Sequence, residues 1–330
     1  MKLIIQIPCY NEEGTLRKTL DDLPRQIDGI DEIEYLIIDD GSKDNTIQVA
    51  KDWGVDHIVR FTRNKGLAKG FMAGIDVALE NGADIIVNTD ADNQYCGKDI
   101  AKLVKPIVDK QADIVVGERP IDKTEDFTWL KKKLQRLGSW AVRMASDTDI
   151  PDAPSGFRAI SREAALRLNV VNEYTYTLET IVQAGRENIP IVSVPIETNM
   201  AMRPSRLAKS MFAYVRTSML TILRAYLVYM PLKAFLFISI FPFIPGLIIG
   251  IRFLYYFFTV GGAGHIQSLI FGCTLIIISF VCVMIGLLGD TIRANRKILQ
   301  DVQYHTRKQH YDGVTLSKPD TREKGRIYYR

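Results

Sequence analysis

From Lys2 onward the chain alternates short apolar runs with stretches whose apolar residues recur every three to four positions. "KLIIQIPCY" is a continuous apolar run and predicts a buried strand. "NEEGTLRKTLDDLP" sets Leu16, Leu20 and Leu23 on one helical face and stops at Pro24. The alternation then repeats. "EIEYLIIDDGS" predicts a strand and "KDNTIQVAKDWG" a helix closed by Gly54; "HIVRFT" is a third strand. "NKGLAKGFMAGIDVALENG" predicts a glycine-punctuated turn entering a helix, with Asn64 as a candidate N-cap. "DIIVNTD", "GKDIAKLVKPIVDKQ" and "DIVVGER" follow as strand, helix and strand. Such alternation means βαβ units and a mostly parallel α/β sheet, whose ligands bind at the carboxyl ends of the strands. Asp39-Asp40, Asp90 with Asp92, and Glu118-Arg119 all fall at such ends and should converge on one crevice.

Beyond Arg119 the pattern loosens into a basic amphipathic helix and an acidic loop that turns at Pro151 and Pro154. "YTYTLETIVQAGREN" reads as helix, and "IPIVSVPIETN" as an edge strand, because Pro195 cannot donate to a ladder. The segment "RPSRLAKSMFAYVRTSMLTILRAYLVYMP" carries aromatic and Met residues on one side and spaced Arg and Lys on another. That pattern predicts a helix lying on anionic headgroups. Two apolar segments follow, about 232–260 and 266–288, each longer than the roughly 20 residues that cross a bilayer as helix. Pro242 and Pro245 inside the first predict a bend. With only "TVGGAGHIQ" between them, the pair reads as a transmembrane hairpin. The organisation expected is therefore a globular domain over 1–202, juxtamembrane amphipathic helices over 203–230, a hairpin over 231–290 and a basic tail over 291–330. The tail reads as loosely ordered after about Arg307.

Charge supports this division. Residues 1–202 hold 25 Lys and Arg against 33 Asp and Glu, whereas residues 203–330 hold 17 against 5. A basic region this apolar faces anionic lipid rather than nucleic acid. The loop between the spans has no Lys or Arg, while Lys209, Arg216, Arg224 and Lys233 flank one side and Arg293, Arg296 and Lys297 the other. Positive residues stay in the cytoplasm, so both flanks and the globular domain are expected there, on the inner face of the cell membrane. No signal peptide is read at the start, where "MKLIIQIPCYNEE" meets a proline after a short apolar run. Cys9, Cys96, Cys273 and Cys282 show no CxxC spacing and indicate neither a disulfide framework nor a zinc site. Two spans per chain leave packing surface that favours a homo-oligomer.

The chemistry concentrates in "NTDADNQY". Paired carboxylates at Asp90 and Asp92 raise each other's proton affinity unless a cation or donors relieve them. Either the pair caps a turn, or Asp90, Asp92 and the neutral oxygen of Gln94 hold Mg²⁺ or Mn²⁺, cations that take one or two carboxylates plus phosphate oxygens and water.

The motifs "IPCYNEE", "IIDDGSKDNT", "RNKGLAKGFMAG", "NTDADNQY", "GER" and "PDAPSGFRAISREA" occur in the order seen in inverting family-2 glycosyltransferases of GT-A fold. The chain resembles the branch that loads sugars onto polyisoprenyl phosphates, such as dolichyl-phosphate mannose synthases and undecaprenyl-phosphate glucosyltransferases. The motifs span roughly residues 5 to 165, and "RPSRLAKS" with the hairpin extends the likeness almost to the end.

The resemblance implies roles. Pro8, Tyr10, Asn11 and Glu12 hold the nucleotide, and Asp39 or Asp40 hydrogen-bonds its base. Lys65 and Gly66 lie near the nucleotide sugar, as does Ala91. Asp90 contacts ribose or the metal shell, and Asp92 and Gln94 coordinate the cation that neutralises the departing diphosphate. Asp152 stands where the superfamily places its catalytic carboxylate. Because a lipid phosphate has a second pKa near ~6, it needs positioning more than deprotonation, so Asp152 is expected to orient the acceptor or steady the sugar. Ser155 and Phe157 shape the sugar pocket, and Arg119, Arg203, Ser205, Arg206 and Lys209 are candidates for phosphate oxygens. Many mannose-transferring relatives carry Leu where Asn93 stands and "HPP" where Tyr95-Cys96-Gly97 stand, which tilts the donor toward UDP-glucose over GDP-mannose. A polysaccharide synthase needs more spans and a QxxRW motif. A non-catalytic adaptor would have lost a site carboxylate, yet Asp40, Asp90, Asp92 and Asp152 are all present.

Overall fold

The computed structural model describes residues 1–120, 139, 142–143, 146–170, 176–199, 227, 230–261, 266–317 and 324–330. The chain divides into one unit of Met1–Leu220 with Asp301–Arg330 and a second of Thr221–Gln300. In the first, β1 (Lys2–Cys9), α1 (Leu16–Asp22), β2 (Glu32–Asp39), α2 (Thr46–Trp53), β3 (His57–Arg60), α3 (Leu67–Glu80) and β4 (Ile85–Asn88) alternate as expected. They are followed by α4 (Ile100–Val108), β5 (Ile114–Glu118), β6 (Arg158–Ser161), α5 (Arg162–Arg167), α6 (Thr177–Arg186) and β7 (Ile191–Pro195). The second unit holds α7 (Pro231–Val260) and most of α8 (Ile266–Ser317), and β8 (Arg326–Tyr329) closes the chain.

One eight-stranded sheet runs in the order β7-β5-β6-β4-β1-β2-β3-β8. All its pairs are parallel except those of β6, which lies antiparallel between β4 and β5. β7 sits at an edge, where Pro195 costs no ladder bond. Pro8 is tolerated inside the sheet because β4 pairs with β1 only as far as Gln6. The apolar runs bury as their periodicity demands: Ile5, Ile7, Ile37, Val87 and Val115 pack with Leu16 and Leu20 of α1, with Leu23 just after it and with Leu103 of α4. Gly54 ends α2 in the left-handed region at φ 88°, a conformation that needs glycine there.

Four expectations change. Strands β6 and β8 were not anticipated, and β8 extends the sheet beyond β3. The tail is not loose directly after Arg307, because α8 continues unbroken to Ser317. The N-cap of α3 is Gly66 rather than Asn64, and no side chain of its own caps it. The acceptors for that turn come from Asp40, which takes the N–H groups of Lys65 at 2.6 Å and Gly66 at 3.0 Å.

In the second unit two helices are long and apolar enough to cross a membrane. Their close approach uses small residues, as membrane helices do. A Cβ on Gly246 would stand 3.0 Å from the Gly272 carbonyl oxygen, and one on Gly289 only 2.6 Å from Pro231. Phe237, Phe241, Phe258, Ile277 and Phe280 turn outward, an apolar surface suited to lipid. The predicted juxtamembrane helices over 203–230, apart from Leu227 and Met230, lie outside the described residues.

Candidate functional site

The strand ends of β1 and β2 build one side of the crevice. Asn11 turns the chain after β1 in the left-handed region at φ 55°, which asparagine tolerates better than other side-chain-bearing residues. Its N–H donates to Ser42 Oγ at 2.9 Å, and its Oδ1 accepts from the Lys43 N–H at 2.8 Å. Glu12 is buried, with its N–H on Thr46 Oγ1 and its Oε2 accepting from Thr15 Oγ1. These bonds clamp the β1 and β2 loops together, while Tyr10 stays exposed between them. Asp39 is fully buried: Oδ1 accepts the Ser42 N–H at 3.0 Å, and Oδ2 accepts no hydrogen bond, with Arg60 Nε at 3.8 Å. Burial raises the Asp40 carboxyl above its ordinary range, and the Lys65 and Gly66 N–H groups work against that rise. Gly41, at φ 74°, lets this turn meet the next: a Cβ there would stand 2.7 Å from the Arg63 backbone.

Beyond β4 the segment 89–95 turns on Asn93, again left-handed at φ 56°. Asp92 Oδ1 accepts the Gln94 N–H at 3.3 Å, so the turn-capping role weighed above is real. Ala91 is fixed by its carbonyl, which accepts from Thr19 Oγ1 of α1. The half-buried Gln94 gives its carbonyl to the Asn199 N–H. Asp90 lies against the loop before β6, since a Cβ on Gly156 would stand 3.3 Å from its Oδ1. Among the described residues no three His, Cys, Asp or Glu side chains gather as a metal cage. Two carboxylates near one turn fit a hard cation that draws its remaining oxygens from a diphosphate and water.

The loop 152–157 is held by a set of buried hydrogen bonds. Asp152 is fully buried and receives Arg119 three times: Nε at 2.7 Å and the backbone N–H at 3.2 Å on Oδ2, and a terminal guanidinium nitrogen at 2.9 Å on Oδ1. Burial works against the Arg119 charge, but Tyr95 and Asp152 outweigh it and hold the guanidinium above its ordinary value. Arg158, also fully buried, donates to the carbonyls of Ser155, Ala153 and Thr177 and to Thr180 Oγ1. Burial lowers it to about 10, still charged at neutral pH. Tyr95 stacks on Phe157 at 4.8 Å, and its hydroxyl accepts the Gly156 N–H. A buried line of amides completes the frame: Gln6 donates to Asn88, and Asn88 to the Gly156 carbonyl and the Tyr176 hydroxyl. Inside this frame Ser155 Oγ is buried and accepts or donates nothing.

The predicted residues from Pro8 to Phe157 are thus gathered at the carboxyl ends of β1, β2, β4 and β5 and in the loop before β6. Arg203, Ser205, Arg206 and Lys209 lie outside the described residues. Sequence reasoning passed over Arg158, Asn88, Tyr95 and Tyr176 as framing residues. The signal available was Arg158 itself, a charge opening an apolar run.

The model of the family described as "Glycosyl transferase family 2" matches residues 4–168. The chain belongs to this family. As a family-2 glycosyltransferase it is 33% identical over 217 residues to a UDP-N-acetylglucosamine–dolichyl-phosphate N-acetylglucosaminyltransferase of Methanococcus voltae, covering 58% of this chain and 83% of that one. It is 28% identical to an undecaprenyl-phosphate mannosyltransferase of Micrococcus luteus, over 59% and 83% of the two chains. Among solved structures, glucosyl-3-phosphoglycerate synthase of Mycobacterium tuberculosis with Mn²⁺, UDP and glucosyl-3-phosphoglycerate superposes with a TM-score of 0.51 at 18% identity, over 67% and 79% of the chains. At that identity the likeness establishes the GT-A fold, with its mostly parallel sheet, and nothing finer.

Proposed function

We propose that this glycosyltransferase moves one monosaccharide from a nucleoside diphosphate sugar to a polyisoprenyl phosphate at the cytoplasmic face of a membrane, with inversion at the anomeric carbon. A phosphate oxygen of the lipid attacks that carbon in line, forming the new C–O bond as the bond to the nucleoside diphosphate breaks. The observation that carries this reading is the Arg119–Asp152 pair. With both carboxylate oxygens already held by the guanidinium, Asp152 suits orientation and charge placement better than proton abstraction. A phosphate nucleophile, already anionic at neutral pH, needs no base. The two apolar helices supply the reason for a lipid acceptor.

In this reading Asp39 or Asp40 hydrogen-bonds the base, and the Lys65–Gly66 turn borders the sugar nucleotide. Asp90 and Asp92, with Gln94, would hold Mg²⁺ or Mn²⁺. Such a cation supplies charge neutralisation for the departing diphosphate. UDP-glucose is the donor proposed first, because "DADNQY" departs from the mannose-type pattern. The relatives named as mannosyltransferases make a mannose donor the second reading.

The test incubates the full chain with undecaprenyl phosphate, Mg²⁺ or Mn²⁺ and labelled UDP- and GDP-sugars, with chelator and Asp92→Ala beside it. Label entering the organic phase from one donor, lost with chelator and in the variant, supports the reading and names the sugar. Turnover onto a water-soluble acceptor alone sinks the lipid assignment.

A further inference from the structure

The segment after Asp301 packs with the sheet-bearing unit, and its contacts fall on two helices, α3 and α5. Arg307 is nearly buried at 12% side-chain exposure and donates to Asp76 of α3 at 2.6 Å. Its other terminal nitrogen reaches the carbonyls of Ala165, Leu166 and Leu168 at the end of α5, at 2.9 to 3.3 Å. Tyr311 donates to the same Asp76 oxygen at 2.9 Å. Tyr304 donates to Glu163, and Asp312 accepts from Arg162, both on α5. On the other side, Asn81 after α3 donates to the Tyr328 hydroxyl at 3.1 Å, and Arg330 pairs with Glu80. Among the described residues, α3 is therefore gripped at Asp76, Glu80 and Asn81 by the last thirty residues of the chain.

Of these two helices, α3 is the one that leads directly out of the candidate site. α3 begins at Gly66, directly after the turn that Asp40 holds. α5 follows β6 at the end away from the loop 152–157, beside the start of β4, and serves as the anchor against which α3 is held. A helix is stiff over its fourteen residues, so fixing its C-terminal half fixes its first turn.

We propose that Arg307 is a positioning residue for the donor half of the active site, pinning α3 to α5 so that the Asp40–Lys65–Gly66 turn is preset for a nucleoside diphosphate. The inference rests on the functional reading above, in that the ligand of that turn is taken to be the nucleotide. It extends the catalytic machinery to a part of the chain that follows the membrane hairpin in sequence.

The experiment measures UDP and GDP affinity by calorimetry in Mg²⁺ on the full chain in detergent, alongside KM for the donor sugar and for the lipid. Arg307→Met keeps the aliphatic stem and removes the donors. Its nucleotide affinity should fall about fivefold, the low end of coupling between linked sites, with donor KM rising in step and lipid KM unchanged. Arg307→Lys should recover part of the loss, since a lysine still reaches Asp76. Tyr311→Phe, which removes a single hydrogen bond, should shift nucleotide affinity in the same direction by less, and it answers the question should Arg307→Met not fold. Unchanged nucleotide affinity in Tyr311→Phe and in a folded Arg307→Met, or a loss of kcat with both KM values unmoved, overturns the inference and leaves the functional reading standing. A wild-type chain that binds neither nucleotide overturns that reading and this inference with it.

Discussion

The crevice has two sides that hold their carboxylates by different means. At the end of β2, Asp40 is met by backbone N–H groups and Asp39 by one N–H and a distant guanidinium. In the loop before β6, Asp152 is met by Arg119 through two guanidinium bonds, inside a frame made by Arg158, Tyr95 and Tyr176. The first arrangement leaves capacity for a ligand, because Asp39 Oδ2 is buried without a hydrogen bond. The second is saturated before any ligand arrives. In the proposed reading, backbone-held acids suit a group that exchanges hydrogen bonds with a base at every turnover. A bidentate, buried ion pair suits a fixed electrostatic reference, because breaking it leaves a charge without compensation.

The contrast is broken most severely at Asp152. Asp152→Ala strands the Arg119 guanidinium, and buried pairs broken from one side lose about 3 kcal/mol or more. Denaturant unfolding should show a loss of that order, and turnover should fall ~100-fold through misplacement of the loop. A variant as stable as wild type would mean that the pair is solvated in the working enzyme, and the two sides would then not differ in kind. Asp40→Asn is the matching change on the other side. It keeps one acceptor oxygen but turns an amide N–H toward a backbone donor, costing about 1 kcal/mol. The expected signature is a nucleotide KM raised ~10-fold, with the larger part of kcat retained. A kcat loss as deep as that of Asp152→Ala would erase the distinction.

The opposite ends of the same strands supply a control. Glu34 at the start of β2 accepts from His57 at 2.9 Å and pairs with Lys2 at 2.8 Å. Burial opposes its charge, but His57 and Lys2 outweigh burial and hold the carboxyl at about 2, below its ordinary 4.5. A depressed carboxyl adds stability that is complete above its unfolded pKa and is lost as pH falls toward the folded one. Unfolding midpoints should therefore drop from about pH 4.5 towards about 2, and Glu34→Gln should flatten that part of the profile. Neither nucleotide KM nor kcat at neutral pH should change in Glu34→Gln, because this cluster lies away from the strand carboxyl ends. A kinetic effect there would show that the crevice responds to global loosening and that the first two variants report stability.

How far the sequence carries this picture follows from the range of the interactions involved. Strands β1 to β5 and the helices between them were legible because each buries a locally periodic face, and the acids at the strand ends were legible from connectivity alone. β6 was not, because "RAIS" opens with an arginine whose burial depends on folded-back carbonyls of its own loop and on the carbonyl of Thr177. β8 was not, because four residues in a polar tail become a strand only against the free edge of β3. The end of α8 looked like loose basic chain, since its ordering partners, Asp76 and Glu163, lie over a hundred residues earlier. The frame shares this property in part: Asn88 reaches Gly156 and Tyr176 across 68 and 88 residues, and Arg158 reaches Thr177 across 19, so no short window of sequence shows them together.

The smallest expected effect is the most discriminating. Ser155 Oγ is buried inside the saturated side yet has no hydrogen-bond partner, and a buried hydroxyl left unpaired costs stability. If that hydroxyl serves only the fold, Ser155→Ala should leave activity unchanged and hold or raise stability by up to ~1 kcal/mol. If it waits for a sugar hydroxyl or phosphate oxygen, stability still holds or rises while turnover falls about fivefold, the worth of one neutral hydrogen bond. We expect the second result, because the loop pairs its Asp152 carboxylate, the carbonyls of Ala153, Ser155 and Gly156 and the Gly156 N–H, and has no structural reason to leave this hydroxyl open. A stable Ser155→Ala variant with wild-type kcat/KM would remove Ser155 from the site and leave the Arg119–Asp152 pair as that side's polar contribution among the described residues.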